Sequence, residues 1–451
     1  MTFFDIDRKD RKKLKKFKKR FIRKLKKKIA GKASVLEGIG NYEFRAESEN
    51  ITDFVGMHLV KDILKLIEFK RFLEEFLTIS KRKSKYSISD LPQMIIEQKI
   101  AGIERLESVW KLAHDKPYLD QIGINNYPCA QTFRNHLLKF NHKHIEQLLK
   151  VNEILLEFYS AMTGHKTVNL LIDTKVITLY GDQEHAERGY NPHKRGRKSF
   201  CLKICTTEEF GNLIVYGDLC PGTHVSLTGF RSFFSECEKR LPKNWIITGV
   251  KLDRGYYAED TLEFLEERNL LYTVVAKKSG ELKRTAYEKA SLWWLNSAGK
   301  QPRIIDVSYK PRSWKKSRRF IIAKIYIGDK VINTEDGRQI QLTLFEEFKW
   351  RTQVLVTNRK ASAEECYHEY NARANVENAI KELEYGFSAF KQPSLKMSAN
   401  SANAVLGMIA YNLIGTAKLM YMPDELKNKS VSTVRKTIIQ IPAIVTGKRR
   451  K

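Results

Sequence analysis

The spacing of apolar positions changes along the chain, and each change predicts a different class of element. From residue 35 to about 165 they recur every three or four residues, as in HLVKDILKLIEFKRFLEEFL and KHIEQLLKVNEILLEFYSAM, the period of amphipathic helices. At residue 166 the period becomes that of strands. VNLLIDTKVITLY, FCLKICTT and NLIVYGDL follow one another, with Gly211 and Asn212 between the last two, which predicts three sequential antiparallel strands with a hairpin at that turn. LTGFRSFFSECEKRL then predicts a helix, WIITGVKLDRGYY a strand ending in an aspartate, AEDTLEFLEERN a helix and LLYTVVAKK another strand. Between 281 and 360, RIIDVSYK, RRFIIAKIYI, RQIQLTLF and WRTQVLVTN predict further strands in a basic background. Helical spacing returns near Ala361 and runs through ECYHEYNARANVENAIKELEYGF as one helix. A further helical region and the basic tail GKRRK follow.

The first 34 residues stand apart. They hold 16 basic and 3 acidic side chains, a local charge of +13, with Leu14, Phe17, Phe21, Leu25 and Ile29 spaced as one apolar stripe in a lysine field. A solvated tail, a DNA-contacting arm and a membrane-surface helix all fit that pattern, and the DNA arm is favoured because the rest of the chain is basic too. The whole sequence of 451 residues carries 81 Lys and Arg against 52 acidic residues, a net +29, which points to a polyanionic partner. Six scattered cysteines fit free thiols in a reducing compartment, and the Cys201 to Cys205 spacing reads as core strand rather than metal site. Residues 397–417 lack charge until their end but hold too many Ser and Asn for a membrane span. A cytoplasmic, nucleoid-associated protein is expected, with no membrane partner.

Chemistry enters through two aspartates. Asp173 lies inside the aliphatic run NLLIDTKVITLYG, where an unpaired carboxylate is costly. Asp253 repeats the pattern at the end of TGVKLDRGYY. Each alone could cap a turn; on two central strands of one sheet they can converge on a hard cation such as Mg²⁺. Glu377 is the candidate third carboxylate, on a helix face shared with Tyr370, Arg373, Ala374, Lys381 and Glu384, a face that solvent-exposed salt pairs would also explain. Earlier in the chain, YPCAQTFRNHLLKF places Thr132, Arg134 and Asn135 at the start of a basic helix. They either read base edges as the second helix of a helix-turn-helix or belong to a helical hairpin of the core.

These three blocks together resemble DDE transposases. YNARANVENAIKEL is similar to the signature of the bacterial insertion-sequence YREK group, in which Tyr370, Arg373 and Glu377 keep the spacing and Glu384 stands where the signature has Lys. YGDQEHAERGYNPHKRGRKSF and KLDRGYY are similar to blocks of one branch of that group. The resemblance implies an α/β fold: an RNase H-like mixed sheet flanked by helices, interrupted by a β-rich insertion, with an N-terminal helical DNA-binding domain. The expected divisions are a basic arm (1–34), a helical DNA-binding domain (35–165), the first part of the core (166–280), the insertion (281–360), the glutamate helix (361–395) and a C-terminal helical region with its tail (396–451). The 124 residues between Asp253 and Glu377, against 80 between the aspartates, leave room for that insertion, whose Trp314 and Trp350 either pack its core or stack on a flipped base.

Implied with the fold is catalysis by Asp173, Asp253 and Glu377 on two Mg²⁺ ions, replaceable by Mn²⁺, cutting double-stranded DNA at element ends and joining it to target DNA. Arg373 would clamp a phosphate, Tyr370 would position the strand, and Lys381 would supply the cation missing at 384. Lys194, Arg195, Arg197 and Lys198 would contact backbone phosphates beside the first aspartate strand. Protomers would pair in a synaptic complex. Alternatives are a nuclease that does not join and a non-enzymatic DNA-binding relic.

Overall fold

The computed structural model describes residues 51–79, 85–282, 302–326, 350–371 and 373–444, a few single positions excepted, and the short strand pairs Leu36–Glu37 with Glu43–Phe44 and Val331–Asn333 with Gln339–Gln341. The basic arm and the final GKRRK lie outside the described residues.

A mixed sheet organises the molecule. Its long strands are β1 (Thr167–Thr178), β2 (Lys198–Thr207), β3 (Ile214–Pro221), β4 (Ile246–Leu252), β5 (Leu271–Val275), β6 (Arg303–Tyr309), β7 (Arg318–Tyr326) and β8 (Trp350–Thr357). They lie in the order β6-β7-β8-β5-β4-β1-β2-β3, with a two-residue strand, Glu187–Arg188, also on β2. β1 runs parallel to β4 and β4 to β5, while the other neighbours are antiparallel. The predicted hairpin joins β2 and β3, and both Gly211 (φ 76) and Asn212 (φ 61) take the left-handed conformation that such a turn requires. Strands of the 281–360 segment form no separate layer: β6, β7 and β8 extend the same sheet beyond β5.

Alternation along β1 sorts its side chains between two cores. Val168, Leu170 and Ile172 join the larger one, with α5 (His142–Thr163) and α6 (Phe230–Arg240). Leu171 and Leu179 join a second one, against α9 (Ala374–Lys381) and α10 (Met397–Tyr421). The larger core continues without a break into the N-terminal helices, α1 (Met57–Leu66), α2 (Phe69–Phe76), α3 (Asp90–Ile100) and α4 (Ala130–Leu137), so these helices and the sheet share one interior. α7 (Glu259–Glu267) leads into β5, and α8 (Ala363–Asn371) covers β6 and β7.

Two local signals set the longest helices. α5 opens with a capping box: Asn141 Oδ1 accepts from His144 N at 3.2 Å, and His144 Nδ1 accepts from Asn141 N at 3.2 Å. The asparagines of α10 are buried and satisfied. Asn412 donates to Ile214 O and Asn152 Oδ1, both at 2.8 Å, and accepts from Ile214 N at 2.9 Å. No helix among the described residues is long and apolar enough to cross a membrane.

Candidate active site

Asp173 projects from the odd-numbered face of β1, toward α9, in register with buried Leu171. Its Oδ1 accepts from Thr174 N at 2.8 Å and pairs with Arg373 at 3.0 Å. Asp253 follows β4, the parallel neighbour of β1, and its Oδ1 accepts from Gly255 N at 2.8 Å, so it also caps the turn. Arg373 reaches Glu377 at 3.2 Å and is itself buried, while Glu377 is half exposed. The arginine therefore links one strand carboxylate to the helix carboxylate.

The predicted single glutamate helix is broken. α8 ends at Asn371 and α9 begins at Ala374, with Arg373 N bonded to Tyr370 O at 2.9 Å in a tighter turn. That break lets Tyr370 and Arg373 both turn inward. Tyr370 is buried, and its hydroxyl donates to Leu252 O at 3.1 Å, fixing the strand end that carries Asp253. It braces the site instead of positioning DNA. Ala374, expected on the same partly buried face, is exposed.

Burial pushes the Asp173 carboxyl up to about 6, against the pull of Arg373; the charge of Asp253 adds to the rise and that of Glu377 adds less. Asp253 is raised too, by burial first, with Arg373 opposing and Glu377 contributing. The carboxylates thus lie in one another's fields, and an added cation would relieve both aspartates.

Hard oxygen donors on adjacent strand ends suit Mg²⁺, which is held by one or two carboxylates plus substrate phosphates. Among the described residues no three His, Cys, Asp or Glu side chains are grouped to hold an ion. Arg373 explains this, because it occupies the position between Asp173 and Glu377. The aspartate pair fits a divalent ion, and Glu377 fits once Arg373 releases it.

Around this centre, Lys194, Arg195 and Arg197 are exposed on the loop after β1, with Arg197 over the Tyr180 ring at 5.8 Å; Lys198 pairs with Asp182 at 2.9 Å. Lys381 is exposed on α9. The cation facing Glu384 is instead Lys175, at 3.0 Å. Sequence reasoning missed Lys175, although its position two residues beyond Asp173 on one strand face was the available signal.

Arg134 does not project toward a groove. Its guanidinium pairs with Glu107 and donates to Pro393 O at 3.0 Å, tying α4 to the segment after α9. Thr132 is half-buried beside Cys129, and Asn135 is exposed, accepting from Gln131 at 2.7 Å. Trp314 packs on Tyr257 and Phe320, as a core residue would. The side chain of Trp350 lies outside the described residues. Cys201 and Cys205 are free and buried.

An α/β sheet with paired aspartates at neighbouring strand ends, faced by a glutamate helix, defines the class of acidic-centre phosphoryl-transfer enzymes. Residues 41–451 match the family described as transposase DDE domain group 1, and the chain belongs to that family. It is a DDE transposase. No curated protein matches it. Among solved structures, it is similar to the piggyBac transposase synaptic complex with hairpin DNA, at a TM-score of 0.36 and 10% identity over 88% of this chain and 87% of that one. A Mos1 mariner paired end complex with Mn is similar at a TM-score of 0.17 and 15% identity over 43% of this chain and 60% of that one. Both scores are too low to carry an argument.

Proposed function

We propose that this transposase cuts double-stranded DNA at the ends of a mobile element and joins the freed ends to target DNA, using two Mg²⁺ ions held by Asp173, Asp253 and Glu377. The observation that carries this reading is the placement of two buried, mutually repelling carboxylates at the ends of adjacent parallel strands, opposite a third on α9. Bound divalent ions supply activation of the attacking oxygen and stabilisation of the leaving one. The chain's own groups do the rest. Arg373, once free of a carboxylate, clamps a backbone phosphate bidentately. Gly255 N and Thr174 N hold the two aspartates in place, and Tyr370 fixes the end of β4.

The strand order β3-β2-β1-β4-β5, with its parallel centre, supports an RNase H-like core, which β6 to β8 extend at one edge. Tyr370, Arg373 and Glu377 support the YREK reading, with Lys175 as the counter-charge that accompanies Glu384. Lys194, Arg195, Arg197 and Lys198 are assigned to backbone phosphates. The same proposal includes the N-terminal helices and basic arm as DNA-binding parts, a bacterial element, Mn²⁺ as a substitute ion and synapsis of two or more protomers.

DNA flanking the gene, end-labelled and incubated with purified protein in Mg²⁺ or Mn²⁺, tests it against Asp253→Asn. Metal-dependent nicking at a discrete end, lost in the variant while DNA binding persists, is the expected result, and joined product separates a transposase from a nuclease that only cuts. Binding without cleavage in either protein overturns the enzymatic reading and leaves a DNA-binding relic.

A further inference from the structure

Residues 222–229 connect β3 to α6 and lie against the turn that carries Asp253. A β-carbon placed on Gly255 would collide with Ser226 Oγ and stand 2.9 Å from Ser226 Cβ. The residues on either side of Ser226, Val225 and Leu227, are 50% and 36% exposed. Apolar side chains on so short a segment ordinarily turn inward; here the small polar residue is turned in and both its apolar neighbours face solvent.

The backbone of the segment is fixed at both ends and in the middle. His224 N donates to Pro221 O at 3.1 Å, Thr228 N to Val225 O at 3.0 Å, and Phe230 N to Leu227 O at 3.1 Å. Val225 N donates to Thr228 Oγ1 at 3.3 Å, Lys203 Nζ donates to Thr228 O, and Thr223 Oγ1 donates to Glu187. Gly222 is wedged against Ser199 and Glu187 carbonyls, with no room for a side chain. The exposed pair is therefore held out on a stiff support.

A third exposed apolar ring stands beside it. Gly189 of the basic loop touches Gly222 and comes within 3.0 Å of Thr223 at its β-carbon position, and the next residue, Tyr190, is 72% exposed. Beyond Tyr190 come Lys194, Arg195 and Arg197. An apolar knob with an adjacent aromatic ring, between a basic loop and an acidic centre, matches what separates and holds stacked bases: aliphatic side chains wedge between base steps, and aromatic rings receive the displaced base. The basic loop supplies charge complementarity to the same strand.

We infer that Val225 and Leu227 insert into the end of bound DNA beside the scissile phosphate, and that Tyr190 stacks on the base they displace. The inference rests on the proposed cleavage of element ends. It assigns the unpairing of the end to this rim, and to no tryptophan of β6 to β8 that the structure describes, since Trp314 is packed inside.

The test uses the full chain and two versions of the cleaved fragment, one fully paired and one with mismatched bases at the cut, each carrying 2-aminopurine there. Val225→Ser/Leu227→Ser, both at exposed positions, should abolish the fluorescence rise on binding and slow cleavage of the paired fragment about tenfold, while the mismatched fragment is cut within about twofold of wild type. Tyr190→Ala should reduce the fluorescence change less, and Tyr190→Phe should restore it. Equal loss on both fragments, or unchanged fluorescence in the double variant, overturns the inference; protection of residues 222–229 by a protein partner but not by DNA does the same. If wild type binds but cuts neither fragment, the cleavage reading fails, and the fluorescence comparison still decides whether this rim unpairs DNA.

Discussion

At the scale of single residues, the site is governed by which charge answers which. Arg373 answers Asp173 and Glu377, and Lys175 answers Glu384. The Lys175–Glu384 pair is about a quarter exposed on each side, so its coupling should be modest, about 1 kcal/mol. Glu384→Lys, which restores the residue of the YREK signature, sets two cations together and should destabilise the fold by about that amount in urea melts. Adding Lys175→Glu should recover it, and failure to recover would show that the two side chains are not coupled. Asp173 was legible from the sequence because an acid in an aliphatic strand requires a partner. Its immediate partner, Arg373, was assigned to DNA instead, because spacing along a helix says which face a residue occupies and nothing about what that face meets.

At the scale of elements, period gave the strands and helices well, and failed where side-chain chemistry overrides it. The helix predicted across 361–386 has uniform helical spacing, yet it breaks between α8 and α9, where Tyr370 and Arg373 turn to hydrogen-bond Leu252 and Asp173. α4 shows the same limit. Its basic first turn suggested base reading, whereas Arg134 binds the chain's own Glu107 and Pro393. The face beneath includes His136, buried edge-on against Phe140, and burial, helped by Lys139, pushes its imidazole down to about 4. The unfolded chain takes up this proton near 6.5 and the folded chain only near 4, so the stability it represents is intact above 6.5 and lost as pH falls through that window. Wild type should lose up to about 3 kcal/mol more than His136→Leu between pH 6.5 and 4 by urea titration. Parallel pH dependence in the two proteins would mean the imidazole is hydrated or paired.

At the scale of the whole molecule, widely separated segments close on one another, which periodicity cannot foresee. Arg435 donates to Ile100 O at 2.7 Å, to Lys99 O at 2.6 Å and to Gly386 O, tying α3 and the turn after α9 to the C-terminal segment. Arg435→Met should leave those carbonyls unpaired and cost roughly 3 kcal/mol, seen as a lower urea midpoint with unchanged slope. An unchanged midpoint would show that water replaces the guanidinium. Nearby, Gly56 N donates to Ile439 O at 3.2 Å, and Ile51–Thr52 pairs as a two-residue ladder with Ala443–Ile444.

That ladder brings the first and last strands of the described fold within one strand spacing, ~5 Å. Topologically the folded part is a ring with a single gap, and the gap can be relocated. Joined there by a short linker and reopened at the Gly211–Asn212 turn, a circularly permuted chain would keep every strand neighbour of the sheet. For engineering, a programmable targeting module fused just before residue 51 or just after residue 444 would be tethered to the same patch of surface, so either fusion order would aim the enzyme in the same direction.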